Sequence, residues 1–173
     1  MEKKDNKTYA YIDGANIHKG IESLGWKLDY KKFRDFLANK YNIQKAYYFI
    51  GDIETNKLLY QNLQEWGYVV VLKTTVPYGK EEVKGNVDVK LTLQAVRDYY
   101  EKEYEKAVLI TGDGDFLDLV VFLAKKDKLK IVLSPNHKKC SHLLKKHQFE
   151  GGKRIYKLGF IEHARNKLEY IKK

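Results

Sequence analysis

Four aspartates stand where apolar runs give way to small or polar residues, and carboxylates placed like that can gather around a cation. Asp13 follows the run in Tyr11-Ile12-Asp13-Gly14-Ala15-Asn16, and Asp88 sits in Lys84-Gly85-Asn86-Val87-Asp88. Asp113 and Asp115 close Ile110-Thr111-Gly112-Asp113-Gly114-Asp115-Phe116. Each acid has an ordinary structural reading. Asp115 could cap a helix beginning at Phe116, Asp88 could favour a helix N-terminus, and Asp13-Gly14 could be turn chemistry. The four together fit that reading less well, because gathered carboxylates repel one another without a cation. A set with no His or Cys beside it suits a hard, oxygen-preferring ion, Mg²⁺ or Mn²⁺ rather than zinc. Such an ion keeps several waters, neutralises a phosphate oxygen and lowers the pKa of an attacking water. The small neighbours Gly14, Ala15, Gly112 and Gly114 leave room for a bulky phosphodiester.

These acids meet only if the chain returns to one place three times. Tyr9 to Ile12, Ile43 to Ile50, Tyr68 to Leu72, Ala107 to Ile110 and Leu129 to Leu133 read as strands. They are continuous apolar runs, the pattern of strands covered on both faces. Helical stripes lie between them: Phe33, Phe36, Leu37 and Tyr41; then Leu58, Leu59, Leu63 and Trp66, with Gly67 placed as a C-terminal cap. Val87, Leu91, Ala95, Val96 and Tyr99 form a third stripe, Phe116, Leu119, Val120 and Leu123 a fourth, and Leu143, Leu144 and Phe149 a weaker fifth. A last apolar run, Ile155 to Leu158, precedes a terminal helix over 161–173. Strands alternating with helices predict an α/β fold with a parallel sheet and right-handed crossovers. In such sheets ligands sit beyond the carboxyl ends of the strands, near the switch in strand order, where these acids fall. The exception to the alternation is Lys73 to Gly85, a long loop or hairpin before the third stripe, and loops of that length tend to be functional.

The 173 residues suit one domain over 1–173, with a core at about 8–160, and 43% apolar content excludes a disordered chain. Lys plus Arg number 33 against 23 Asp plus Glu, a formal net charge of +10, which makes a polyanion the first partner to consider. Lys80, Lys84 and Tyr78 in the long loop, and Lys138, Lys139 and Lys145 after the fifth strand, are candidates for phosphate contact, with Tyr78 able to stack on an unpaired base. The lone cysteine, Cys140, excludes an internal disulfide framework and fits a reducing compartment. No signal peptide is visible, and no apolar stretch approaches the ~20 residues a bilayer span needs, so a cytoplasmic protein without a membrane partner is expected.

The motifs Ile12-Asp13-Gly14-Ala15-Asn16, Lys84-Gly85-Asn86-Val87-Asp88 and Thr111-Gly112-Asp113-Gly114-Asp115-Phe116, in that order from about Tyr9 to Leu158, resemble the NYN-domain family of PIN-like nucleases, in particular its LabA-like group. The resemblance implies a PIN-like three-layer α/β/α sandwich with a mainly parallel sheet of five to six strands. It implies a divalent-metal ribonuclease acting on RNA, single-stranded before duplex, with DNA left open and a homodimer compatible. Asp13, Asp88, Asp113 and Asp115 would hold Mg²⁺ or Mn²⁺, and Asn16 would order the site or its water. The reaction would be phosphodiester hydrolysis by an activated water, with no covalent intermediate. Many relatives carry another acid two positions after the third-helix Asp. Here Lys90 stands there, which weakens a second metal site or adds a phosphate contact.

Other readings compete. An RNA-binding regulatory module of the same fold would need no complete acid set. A haloacid-dehalogenase-like phosphatase would explain a first-strand Asp and Asp113 with Asp118, but its second acid would fall at Ala15. A dinucleotide site lacks its glycine spacing after Ile12. His137, Cys140 and His142 match no common zinc spacing. Asp52 also ends a strand, yet on the far side of the first strand from the switch point, and His18 one turn past the first motif reads as solvent-facing.

Overall fold

The computed structural model describes residues 6–51, 56–73 and 87–172. Tyr78, Lys80, Lys84 and Asp52 lie outside the described residues, as does most of the long loop before the third stripe. The chain opens with β1 (Thr8–Asp13), α1 (Gly14–Glu22), α2 (Tyr30–Tyr41), β2 (Ile43–Gly51), α3 (Lys57–Glu65) and β3 (Tyr68–Lys73). It continues with α4 (Val87–Tyr100), β4 (Lys106–Ile110), a 3-10 turn (Gly114–Phe116), α5 (Leu117–Lys125) and β5 (Leu129–Ser134). It closes with α6 (His142–Lys146), β6 (Phe149–Glu150), β7 (Lys153–Arg154), β8 (Leu158–Phe160), a second 3-10 turn (Ile161–Ala164) and α7 (Arg165–Leu168).

Six strands form one sheet in the order β3-β2-β1-β4-β5-β8, and every pairing in it is parallel. The order runs outward from β1 in one direction and then restarts at β4 in the other. The switch point therefore lies between β1 and β4, where Asp13 and Asp113 emerge. This is the α/β architecture expected from the alternating runs.

The unbroken apolar strands follow from burial on both faces. Within β1, Ala10 and Ile12 enter a core with Ile17 and Ile21 of α1, Phe33 and Leu37 of α2 and Leu63 of α3. Tyr9 and Tyr11 face the other way, into a core with Leu91 and Ala95 of α4, Leu119, Val120 and Leu123 of α5 and Leu144 of α6. Each Ile, Leu or Phe among them, fully buried, stabilises the fold by ~1.5–3 kcal/mol relative to exposure. Helices thus cover both faces, giving three layers. In the second core the Tyr11 hydroxyl donates to the Asp98 carboxylate at 2.7 Å, and Gln94 Nε2 donates to the same carboxylate at 2.8 Å, so that buried charge is partnered. Burial pushes the Tyr11 hydroxyl pKa far up. Gly67 follows α3 at φ 88°, the left-handed geometry its placement predicted.

One expectation needs correction, and two elements differ from the apolar runs of the sequence. α1 is not among the helical stripes above, since only Ile17 and Ile21 among its hydrophobics are buried, beside two buried glycines, Gly14 and Gly20. The terminal helix does not run over 161–173: α7 stops at Leu168, and Glu169 pairs antiparallel with Leu28. Main-chain pairing wins there, since the Asp29 N–H donates to Leu168 O at 2.8 Å and the Tyr170 N–H to Lys27 O at 2.9 Å. The last sheet strand begins only at Leu158, because Tyr156 turns inward and donates its hydroxyl to Leu144 O at 2.7 Å. Before it, β6 and β7 form a hairpin around Gly151 (φ 56°) and Gly152 (φ 77°), a two-glycine turn of the kind tight hairpins select. No helix among the described residues is long and apolar enough to cross a membrane.

Candidate metal centre

Three of the four aspartates converge. Carboxylate oxygens of Asp88, Asp113 and Asp115 all lie within 4.8 Å of one another. Asp113 and Asp115 arrive on the 3-10 turn after β4, and Asp88 arrives on the first turn of α4, which packs against that turn. Among the described residues no other trio of His, Cys, Asp or Glu comes so close, and His137, Cys140 and His142 are not gathered. Cys140 is a buried free thiol whose pKa burial pushes up.

Asp13 falls outside this trio and stands behind it. It is the buried last residue of β1 and caps α1, its Oδ1 accepting from the Asn16 N–H at 3.2 Å. Its Oδ2 accepts from the Thr111 hydroxyl at 3.3 Å, and the same Thr111 oxygen accepts from the Asp113 N–H at 3.1 Å. Thr111 therefore bridges the ends of β1 and β4. Burial, reinforced by repulsion from Asp88 and Asp113, raises the Asp13 carboxyl pKa to about 6, against the lowering effect of its two hydrogen bonds. The Asp88 carboxyl is also raised, by burial first and then by Asp113 and Asp115, while Lys73 at the end of β3 pulls it back. Both shifts have the sign expected when carboxylates crowd without a counter-ion.

The helix-capping reading holds in altered form. Asp113, not Asp115, caps the turn, accepting from the Asp115 N–H at 3.0 Å. One aspartate oxygen can cap while its carboxylate also faces the trio, so the structural and chemical readings of Asp113 are compatible.

The glycines do not act as expected. A Cβ on Gly14 would come within 2.5 Å of the Tyr48 ring and 2.7 Å of Phe49 O, and one on Gly112 within 2.6 Å of Ser134 Oγ. A Cβ on Gly114 would strike Ser141 Oγ. The space these residues leave is filled by protein, so they are small to let loops close rather than to admit a phosphodiester.

That closure involves residues the sequence reading passed over. Gly112 O accepts from the Ser141 N–H at 2.8 Å, and Gly112 N–H donates to Asn16 Oδ1, also at 2.8 Å. Asn136 is fully buried; its Nδ2 donates to Gly20 O of α1 at 2.6 Å, and its Oδ1 accepts from the Lys139 N–H at 2.8 Å. The segment 135–141 is thereby fastened to both α1 and the acid-bearing turn. The Ser134-Pro135-Asn136 turn signal at the end of β5 was the available cue. Lys138 and Lys139 are exposed on this segment, and Lys145 is half-buried on α6. Lys90 Nζ donates to Leu72 O at 3.0 Å, tying α4 to β3. His18 is exposed, its Nδ1 3.4 Å from the Tyr30 hydroxyl. Asp118 is exposed on α5 and outside the trio.

Three carboxylates and no nitrogen or sulfur donor suit a hard divalent cation, which the oxygens could bind from one side while waters fill the rest. Comparisons with known proteins show what the chain is similar to. The NYN domain family model matches residues 7–164. Over 76% of each chain, the sequence is 24% identical to "Low amplitude and bright protein LabA" of Synechococcus elongatus. The fold is similar to the crystal structure of a protein of unknown function from Vibrio parahaemolyticus, with a TM-score of 0.70 over 98% of this chain and 100% of that one, at 19% identity.

Proposed function

The chain belongs to the NYN-domain family, generally a family of nucleases, and from that premise we propose that it is a divalent-metal-dependent ribonuclease that hydrolyses phosphodiester bonds in single-stranded RNA. The observation that carries the proposal is the Asp88, Asp113 and Asp115 trio at the sheet's switch point.

In this reading Asp88, Asp113 and Asp115 hold Mg²⁺ or Mn²⁺ on oxygen ligands. A divalent ion there neutralises a phosphate oxygen and eases deprotonation of an attacking water. Asp13 adds negative charge from the buried side and, through Thr111, holds the β4 exit in place. Asn16 is a positioning residue, since its side chain anchors Gly112, next to Asp113. Lys138 and Lys139 on the neighbouring segment would meet phosphates along the strand.

The test is incubation of labelled single-stranded RNA and DNA with Mg²⁺, Mn²⁺ or EDTA, beside Asp113→Asn. Cleavage that needs the ion and disappears in the variant is expected, with RNA binding kept or tightened. Equal cleavage by variant and wild type removes the metal-site assignment. Binding by both proteins with cleavage by neither would instead favour an RNA-binding regulatory module.

A further inference from the structure

α4 shows two apolar side chains to solvent beside the acid trio. Val89 and Leu93, one turn apart, are each 58% exposed, although the helix already buries Leu91 and Ala95 against the sheet. Val89, Thr92, Leu93 and Val96 line a shallow cleft of about 470 Å³, open to solvent, whose remaining walls are Asp88 and Asp115. Two members of the acid trio are therefore also walls of an apolar cleft.

We propose that this cleft is a nucleobase subsite, holding the unpaired base of the nucleotide next to the phosphate that the acid trio addresses. The inference rests on the nuclease reading above and adds the part of the substrate that reading leaves unplaced. Charge selects the occupant. Anionic groups are repelled by Asp88 and Asp115 except where a cation intervenes, so the phosphate goes to the ion and the cleft takes an uncharged group. A nucleobase is neutral and flat, its faces suit Val89, Leu93 and Val96, and its edge carries polar groups that the Thr92 hydroxyl can meet. Phosphate and base of one nucleotide are covalently linked, and here their two environments share walls. A base paired in a duplex could not enter, which ties the cleft to single-stranded RNA.

The experiment uses short fluorescent RNAs in which one abasic nucleotide is walked along the strand, bound to Asp113→Asn protein so that no cleavage intervenes. Val89 and Leu93 are exposed, so V89A/L93A in that background opens no cavity, and an unchanged thermal midpoint confirms its fold. The double variant should bind the intact RNA about tenfold more weakly. An abasic nucleotide at one position should weaken binding equally, and the two losses should not add. Additive or absent losses overturn the subsite. So does a concentration-dependent dimer of the wild type that L93E dissolves, because the stripe would then face a second copy. Cleavage by the wild type is scored separately: its absence beside intact non-additivity overturns the nuclease reading and leaves the base subsite standing.

Discussion

The Gly112 backbone N–H donates to Asn16 Oδ1 at 2.8 Å, which makes the first turn of α1 and the exit of β4 one unit. The Asn16 N–H in turn donates to Asp13 Oδ1 at 3.2 Å, so one residue touches both strand ends that flank the switch point. Asn16→Ala leaves the N–H of a buried glycine without that acceptor, a loss of about 1–3 kcal/mol. Urea denaturation should report it as a lower midpoint, and Mn²⁺ should raise the variant's thermal midpoint less than the wild type's. Asn16→Asp keeps the acceptor but adds a carboxylate beside Asp13 and Asp113, so it should recover stability only in part, and more of it with Mn²⁺ than in EDTA. An Asn16→Ala midpoint equal to wild type would show that this contact does not hold the two ends together.

Lysines on the segment after β5 give a second expectation. Lys138 and Lys139 are exposed and follow a strand end fastened to the acid-bearing turn. Phosphate contacts release counterions, so log–log RNA affinity should fall steeply with salt. Lys138→Gln and Lys139→Gln should each shrink that slope by about 1. The measurement is fluorescence anisotropy across a salt series with the divalent ion held constant, and an unchanged slope takes the lysine off the binding rim.

Much of the fold was legible because burial on two faces writes itself as uninterrupted apolar strands: Tyr11 and Ile12 are neighbours that enter opposite cores. The motifs pointed to four aspartates around one place, and the structure gathers three of them, Asp88, Asp113 and Asp115. The rest depended on distance in space. Nothing in the spacing of Asp13 shows that Thr111 will bind its carboxyl behind the trio. Nor does the smallness of Gly112 or Gly114 reveal that Ser134 and Ser141 fill the space beside them. The end of α7 was hidden for a similar reason, because its limit is set by pairing of Glu169 with Leu28, some 140 residues away in the chain.

The crowded acids set a pH dependence in EDTA. The Asp13 carboxyl is raised from an ordinary 3.8 to about 6 in the folded protein, and burial is the main cause. Between these values the folded state binds more protons than the unfolded, so stability falls as pH rises through the window and is greater at pH 4 than at pH 7 as far as Asp13 is concerned. Two units correspond to about 3 kcal/mol. Asp13→Asn keeps the cap on α1 and removes the charge, and should flatten this part of the profile. Denaturation at pH 4 to 7 checks it; parallel profiles for the two proteins would mean that Asp13 carries no such penalty.

Asn136 separates bracing from chemistry. It carries no acid, lies at the turn after β5, and is buried with both ends of its amide engaged, Nδ2 on Gly20 O and Oδ1 on the Lys139 N–H. Asn136→Ala removes both partners and leaves a buried carbonyl and a backbone N–H seeking water, which should lower stability by about 2 kcal/mol. Because Ser141 on the same segment clamps Gly112, the loosened segment should also weaken Mn²⁺ binding, although Asn136 belongs to no ligand group. Asn136→Asp preserves the Oδ1 acceptor but sets a buried carboxylate oxygen against Gly20 O, so it should be at least as destabilising as Asn136→Ala. Calorimetry of Mn²⁺ binding at a temperature where all three proteins are folded separates the two effects. Lower stability with unchanged Mn²⁺ affinity would mean that the 135–141 segment supports the fold and not the acid-bearing turn.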